Sequence, residues 1–432
     1  MNKRKLILTS GVANTFEWYD YALFGHFAPI IGQKFFPESD PGASLLQAFL
    51  VFAIGYLMRP LGGIFFGIIG DKFGRRVALS SAVICMAIPT AAIGFLPSYE
   101  TMGIVSTSLM IVVRMLQGLS MGGALTGSIA FVIEHTSKKH RGIAGSIAMS
   151  SICIGILLGS TAAYLTRTLF SPEQFDEWGW RLPFILGIFI FFAGLYIKNH
   201  TDETPLFKDT QNRGELAKSP LREVCSKYWR DIIISVLINA TGSIIFYFEA
   251  IYLMTYLRIN RGFDEGNVVS LINFCYVIMA VVTVLVGWLS DKINRRKIFI
   301  FNLVIIMCAG PVIMTVLQEG DFLAVSVAQV ALAIMAAAYI GPEPALQAEF
   351  YPTNIRNTAL SVSYNAATSI FGGTAPYIIE SLVQNTGRLT SSTYYIITSA
   401  LLSLGALYFY QDRSAVDHQV EIEGESSWEE RL

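Results

Sequence analysis

Two carboxylates stand inside a long apolar stretch near the start of this chain: Glu17 and Asp20, in the run Asn14-Thr15-Phe16-Glu17-Trp18-Tyr19-Asp20-Tyr21. Their spacing puts both on one face of a helix. Two arginines, Arg59 and Arg114, are embedded in later apolar stretches. An ionisable group at membrane mid-depth costs on the order of 3 kcal/mol or more, so it needs a partner or an aqueous cavity. Counted from Leu6 at about 1.5 Å per residue, Glu17 lies roughly 17 Å deep, near a bilayer midplane. Arg114 falls at a similar depth, and Arg59 nearer the end of its stretch. Plain ion pairing is one chemistry open to this set. The other is proton carriage, because neighbouring carboxylates resist being ionised together. An arginine that pairs alternately with them and with a substrate then links the two events. On that reading Glu17, Asp20 and Arg114 couple protons.

The same stretch carries Phe16, Trp18, Tyr19, Tyr21 and Phe24, and a later one carries Phe246, Tyr247, Phe248 and Tyr252 around the acid Glu249. Aromatic faces attract quaternary ammonium groups, and an arginine fork holds a carboxylate. Trp18, Tyr21, Arg114, Gln117, Tyr247 and Glu249 are therefore candidate substrate contacts for a zwitterion such as proline or betaine. A dicarboxylate would use two fixed cations instead, which makes Arg59 a candidate beside Arg114. Aromatic residues that only pack against helices or lipid are the competing explanation.

These side chains need elements that cross a bilayer. Of the 432 residues, 53% are hydrophobic and only 15% charged, whereas soluble proteins carry roughly 25% charged residues. Twelve apolar stretches approach the length that a spanning helix needs: 6–31, 44–69, 77–97, 103–133, 143–168, 181–198, 230–257, 266–289, 298–316, 322–342, 357–384 and 392–411. None alternates in polarity as a barrel strand does. The expected fold is an all-α membrane protein of twelve transmembrane helices in two six-helix bundles, 1–198 and 230–411. A charged linker, 199–229, joins them, and a polar, mostly acidic tail, 412–432, follows. The opening Lys3-Arg4-Lys5 and the long apolar run after it fit a signal-anchor first helix better than a cleaved signal peptide. Cys85, Cys153, Cys225, Cys275 and Cys308 show neither metal spacing nor a disulfide pattern.

Lysine and arginine concentrate in one set of loops, notably Lys72-Phe-Gly-Arg75-Arg76, Lys138-Lys139-His-Arg141 and Lys292-Ile-Asn-Arg295-Arg296-Lys297. Such loops mark the cytoplasmic side, so both termini are expected there. Two of them are copies: Gly67-x-x-x-Asp71-Lys72-x-Gly74-Arg75-Arg76 and Gly287-x-x-x-Asp291-Lys292-x-Asn294-Arg295-Arg296, half a chain apart. Glu134 to Arg141 and Glu349 to Arg356 form a second pair of copies with equal spacing. Repeats at matching places indicate two related halves that move against each other. The glycines permit tight turns and close backbones, and the aspartate is available to helix N-terminal amides or to an arginine.

At these residues the chain resembles the major facilitator superfamily. The resemblance implies two bundles around a central cavity lined by helices one, four, seven and ten. It also implies a loop motif that latches the halves: here Gly67, Asp71, Gly74, Arg75 and Arg76, with Glu134 and Arg141 as charge partners and Asp291 and Arg295 as the weaker second copy. More closely, Glu17-Trp18-Tyr19-Asp20, Arg59-Pro60-x-Gly62-Gly63, Arg114-x-x-Gln117-Gly118-x-Ser120-x-Gly122-Gly123, Asp176-x-Trp178-Gly179-Trp180-Arg181 and Glu203-Thr204-Pro205 are similar to the metabolite–proton symporter subgroup. That group includes proline/betaine, α-ketoglutarate, citrate and shikimate carriers. One position departs: the subgroup usually has Glu after the paired glycines, where this chain has Ala124.

The resulting expectation is a proton-coupled importer of a small organic solute in a bacterial inner membrane. It would act as a monomer, with the proton as coupling ion, no metal or other cofactor, and no nucleic-acid partner. A proton-coupled carboxylate carrier and an uncoupled exchanger are the transport alternatives. A membrane receptor or sensor would need an output domain, and a membrane enzyme would need a catalytic motif; neither is legible in the sequence.

Overall fold

The computed structural model describes residues 3–36 and 41–412; the acidic tail beyond Asp412 lies outside the described residues. The first half is built from α1 (Lys3–Phe35), α2 (Pro41–Phe73), α3 (Arg75–Phe95), α4 (Ile104–Glu134), α5 (Arg141–Leu169) and α6 (Ile188–His200). Two short helices, Pro205–Asn212 and Pro220–Lys227, lie between the halves. The second half contains α7 (Trp229–Tyr247), α8 (Glu265–Ser290), α9 (Arg295–Glu319), α10 (Phe322–Ile340), α11 (Arg356–Ala367), α12 (Ala375–Thr386) and α13 (Ser392–Tyr408).

The halves repeat one packing plan. In the first, α2 packs on α4, α1 on α5, and α3 on α4 and α6; in the second, α8 packs on α10, α7 on α11, and α9 on α10 and α13. The halves then meet crosswise, α2 against α11 and α5 against α8. Among the described residues, eight helical segments are long and apolar enough to cross a membrane: 75–95, 104–134, 138–169, 179–200, 229–260, 265–290, 295–319 and 322–349. Large apolar side chains point outward all around, among them Leu57, Phe65, Leu158, Phe274, Phe301 and Val327. That suits a hydrocarbon solvent, which offers the helices no hydrophobic reason to associate.

Close backbone approach replaces that missing drive. A Cβ on Gly118 would lie 1.9 Å from the Gly55 carbonyl oxygen, and one on Gly122 would lie 2.1 Å from that of Arg59. The glycines of α2 and α4 thus bring the Arg59 and Arg114 segments together. Two spans are irregular. After Tyr247 the chain runs through π-turns at Phe248–Tyr252 and Tyr256–Asn260, and a third, Thr368–Gly372, separates α11 from α12. Such turns are rare and concentrate at functional sites.

The packing predicts that Gly122→Leu, which overpacks the α2–α4 contact, destabilises the fold by about 2 kcal/mol or more. Thermal unfolding in detergent measures this. Gly405→Ala, where a Cβ meets nothing within 4 Å, leaves the midpoint unchanged or slightly raised.

Candidate functional site

Asp20 is fully buried on α1 and is held from two other helices. Gln117 of α4 donates from Nε2 to both of its carboxylate oxygens at 2.9 Å, and also to Thr90 Oγ1 of α3 at 2.9 Å. Arg114, one helical turn before Gln117, brings Nη1 to 3.4 Å from Asp20 Oδ2 and donates to Gln117 Oε1 at 2.8 Å. Its guanidinium carbon sits 3.4 Å from the centre of the Phe24 ring. The proton-coupling candidates Asp20 and Arg114 and the substrate-contact candidate Gln117 are thus one hydrogen-bonded cluster.

Glu17 is equally buried but differently held. Arg59 Nη2 of α2 stands 3.6 Å from its Oε1, beyond hydrogen-bond length. Neither Glu17 oxygen has a hydrogen-bond partner, nor do Arg59 Nε and Nη1. The two acids therefore pair with different arginines, one tightly and one loosely.

Aromatic rings extend from this pair of clusters into the second half. Trp18 and Tyr21 lie 5.0 Å apart between ring centres, Tyr21 and Tyr56 5.9 Å, and Tyr56 and Tyr247 5.9 Å. The Tyr56 and Tyr247 hydroxyls are 2.7 Å apart, and Trp18 meets Phe246 edge-on at 5.4 Å. Arg59 lies 5.3 Å from the Tyr56 ring centre. Trp18, Tyr21, Arg59, Arg114, Gln117 and Tyr247 therefore form one continuous aromatic and charged wall across the half-to-half boundary. Tyr19 turns elsewhere and donates to the Pro183 carbonyl at 3.0 Å.

Glu249 stands apart from that wall. Its carboxylate, in the first π-turn of the α7 span, is within electrostatic reach of Cys153 of α5 and of Cys275 and Tyr276 of α8, and neither oxygen is hydrogen-bonded.

The basic-loop end holds the second constellation. Asp71 accepts from the Asn357 and Thr358 amides at 3.1 and 2.8 Å, at the start of α11 in the other half. Asp291 accepts from the Gly142 and Ile143 amides at 2.7 and 2.8 Å, at the start of α5. Each repeat's aspartate thus caps a helix of the opposite half, satisfying amides that have no partner within their own helix. Arginines reinforce both caps. Arg75 lies 3.1 Å from Asp71 and 3.0 Å from Glu134, and Arg356 reaches across to Glu134 at 3.3 Å. Arg295 pairs with Asp291 at 2.8 Å and with Glu349 at 2.9 Å. Gly67 lets α11 approach: a Cβ there would lie 2.9 Å from the Thr358 Cα.

The Arg76 side chain pairs with no carboxylate among the described residues; its Nη1 donates to the Thr201 carbonyl at 3.2 Å. Arg141 is buried at the start of α5 and acts electrostatically on Glu349, the acid of the opposite half. Gly74 is explained by backbone: its φ of 110° is the left-handed side, and a Cβ would lie 2.2 Å from Glu203 Oε2.

Glu203 is the residue whose role the sequence hid. Its carboxylate accepts from the Arg75 and Arg76 amides at 2.8 and 3.2 Å, capping α3 from the linker. Burial raises its affinity for a proton above that of a free carboxyl, and amide bonds from Thr204 and Arg76 oppose the shift. Thr204 beside it donates to Glu134 at 2.7 Å. The signal was the Glu203-Thr204-Pro205 run itself, whose target is distant in sequence. Asn365 and Ser361 of α11 were also unforeseen; they bond Gly122 O and Thr126 Oγ1 at 2.8 and 2.7 Å.

The Major Facilitator Superfamily profile matches residues 12–318 and 267–431. The glycine betaine/proline/ectoine/pipecolic acid transporter OusA of Dickeya dadantii is 32% identical over 93% of this chain and 82% of its own length. The proline/betaine transporter of Salmonella typhimurium is 30% identical with the same coverage. Among solved structures, the proton:xylose symporter XylE bound to 6-bromo-6-deoxy-D-glucose superposes with a TM-score of 0.77 at 16% identity, covering 94% of each chain. The transporter FucP in its outward conformation superposes with a TM-score of 0.67 at 16% identity, covering 94% of this chain and 98% of its own. At these identities the structural likeness speaks for the fold.

The crossed caps carry a prediction. Asp71→Ala removes the acceptor of two amides and one of the two carboxylates beside Arg75, a loss of about 3 kcal/mol from the closed arrangement. With native cysteines replaced and spin labels at positions 73 and 293, the variant gains a longer-distance population. A distribution identical to that of the parent would refute the capping account.

Proposed function

The chain belongs to the Major Facilitator Superfamily, in its metabolite–proton symporter subgroup, and we propose that it imports a zwitterionic osmolyte of the proline or betaine type together with a proton. It does so by alternating access between two six-helix bundles, twelve spans in all. It resides as a monomer in a bacterial inner membrane, with the basic loops and both termini on the cytoplasmic side.

One observation carries the reading: Asp20 and Arg114 are paired at one end of an aromatic wall that crosses to the second half at Tyr247 and Phe246. A substrate ammonium sits against Trp18, Tyr21 and Tyr247, whose ring faces attract it. Its carboxylate competes with Asp20 for the Arg114 guanidinium, which suits bidentate carboxylates. Asp20, parted from its cation in a buried site, then takes a proton instead of keeping a bare charge. Gln117 stays with Asp20 and can hold either form. Substrate and proton thus enter together. When the site opens inward and the substrate leaves, Arg114 returns to Asp20 and expels the proton. Breaking the Asp71 and Asp291 caps opens the cytoplasmic side, and remaking them closes it.

A second reading has its own support. Arg59 keeps Nε and Nη1 without hydrogen bonds beside the Arg114 cluster, so a dicarboxylate would find two cations. For coupling, Ala124 packs in an apolar cluster with Phe66 and Ala82, so that position carries no proton. The coupling role then falls to Asp20 and Glu17.

Purified protein in proteoliposomes distinguishes these readings. Proline or glycine betaine accumulates when the outside is made acidic, and α-ketoglutarate or citrate does not. Asp20→Asn lowers gradient-driven accumulation by about tenfold or more, while substrate exchange across the membrane persists. Accumulation indifferent to the imposed gradient would remove the symport reading. Accumulation of the carboxylates alone would replace the zwitterion with an anionic substrate.

A further inference from the structure

The aromatic rings at the half-to-half boundary close into a loop of five. Trp18 meets Tyr21 at 5.0 Å between ring centres, Tyr21 meets Tyr56 at 5.9 Å, and Tyr56 meets Tyr247 at 5.9 Å. Tyr247 meets Phe246 at 5.5 Å, and Phe246 returns to Trp18 at 5.4 Å. Neighbouring ring planes are steeply inclined all the way round, at 53°, 73°, 81°, 77° and 86°. The rings further along the same span are arranged otherwise: Phe248, Tyr252 and Tyr256 stack at 25° and 24°. Edge-to-face pairs occur in any core; their closure into a loop marks this set. A flat loop with such sides has its centre about 5 Å from each ring, within the roughly 6 Å over which a ring face attracts a cation.

Both halves build the loop. Trp18 and Tyr21 belong to α1, Tyr56 to α2, and Phe246 and Tyr247 to α7. Glycines let neighbouring backbones support two of the rings from behind. A Cβ on Gly155 of α5 would lie 3.0 Å from the Trp18 Cβ, and one on Gly372 would lie 2.7 Å from the Tyr247 ring. The polar atoms of the loop also matter. The Tyr56 and Tyr247 hydroxyls are 2.7 Å apart and bond each other. Trp18 Nε1 is a donor, buried and without an acceptor among the described residues. The loop therefore presents ring faces and little that accepts an N–H. An ammonium that keeps N–H groups leaves donors unpaired in such a place, at a cost. A quaternary ammonium has none to leave. Arg59 stands 5.3 Å from the Tyr56 ring centre, and its charge is opposed by Glu17 at 3.6 Å. Arg114, the fork for a carboxylate, is paired with Asp20, the residue before Tyr21.

We propose that this loop is a cage for a quaternary ammonium, so that the site prefers a fully N-methylated zwitterion of the betaine kind to one that keeps N–H groups, of the proline kind. The inference rests on the zwitterion reading and narrows it. Tyr56 and Phe246 become specificity residues beside Trp18, Tyr21 and Tyr247. Three walls come from one half and two from the other, so a cation held by all five favours the joined halves over the parted ones.

The test uses the full chain in proteoliposomes and displaces radiolabelled glycine betaine with unlabelled glycine betaine, dimethylglycine, sarcosine, proline and tert-butylacetate. The last has the shape of glycine betaine with carbon in place of the charged nitrogen. Affinity falls with each methyl lost, and proline and tert-butylacetate each bind about tenfold or more weaker than glycine betaine. Phe246→Leu and Tyr56→Leu, which remove a wall, narrow the margin between glycine betaine and proline by about fivefold or more, and Phe246→Tyr, which keeps the ring, retains it. The series on the parent protein does not depend on the variants folding. The proposal is overturned if proline or dimethylglycine binds as tightly as glycine betaine, or if both leucine variants keep the full margin. It is also overturned if tert-butylacetate matches glycine betaine, which would mark an apolar pocket blind to charge. Uptake of proline with no advantage to glycine betaine removes the cage and leaves the zwitterion reading standing. Uptake of neither zwitterion removes that reading and the cage with it.

Discussion

The cost of charge in an apolar medium governs this structure. Glu17, Asp20, Arg59 and Arg114 are all buried within helices. Each would be prohibitive alone. Their pairing across α1, α2 and α4 fixes how those helices face one another, and the glycines at 55, 118 and 122 are needed because the arginines arrive only if the backbones nearly touch. The fold of the first half is in this sense the set of distances at which two acids and two arginines can neutralise each other. A carrier gains from the same constraint. A site that is stable only when its charges balance can exchange one partner for another, substrate carboxylate or proton, but cannot stay unpaired.

The halves are joined by a related device at the basic-loop end. Helix N-termini buried there need acceptors, and each finds one in the opposite half: Asp71 for α11 and Asp291 for α5. These crossed caps are worth having only while the halves are closed, and they are few. Separation therefore breaks a small number of strong polar contacts, together with small-residue packing such as Gly287 against Ser146. Packing in lipid contributes little besides, because the outer helix faces are equally content against hydrocarbon. A bistable joint follows from that sparse set of directional bonds.

Much of this was legible in the residues. The acids, the arginines and the aromatic runs each identified themselves by being out of place in apolar stretches, and the repeated loop motif announced the half-to-half symmetry. The availability of Asp71 to helix amides followed from its type. Which helix it would cap did not, because the partner lies in the other half and pattern reasoning works along the chain. The same limit hid Glu203, whose targets are the amides after Gly74, and the reach of Arg356 to Glu134. Glu249 was placed with the aromatic residues by sequence proximity. It stands in a π-turn, whose extra residue per turn has no signature in composition.

The central claim is that substrate and proton compete for one network, the carboxylate displacing Asp20 from Arg114 so that Asp20 takes up a proton. The most direct measurement is proton uptake on binding. Glycine betaine or proline is added to purified protein in weakly buffered detergent solution, and a pH indicator follows the change. The account predicts alkalinisation on substrate addition that saturates with binding and is absent in Asp20→Asn. Saturable binding with no proton uptake by the parent protein would contradict it.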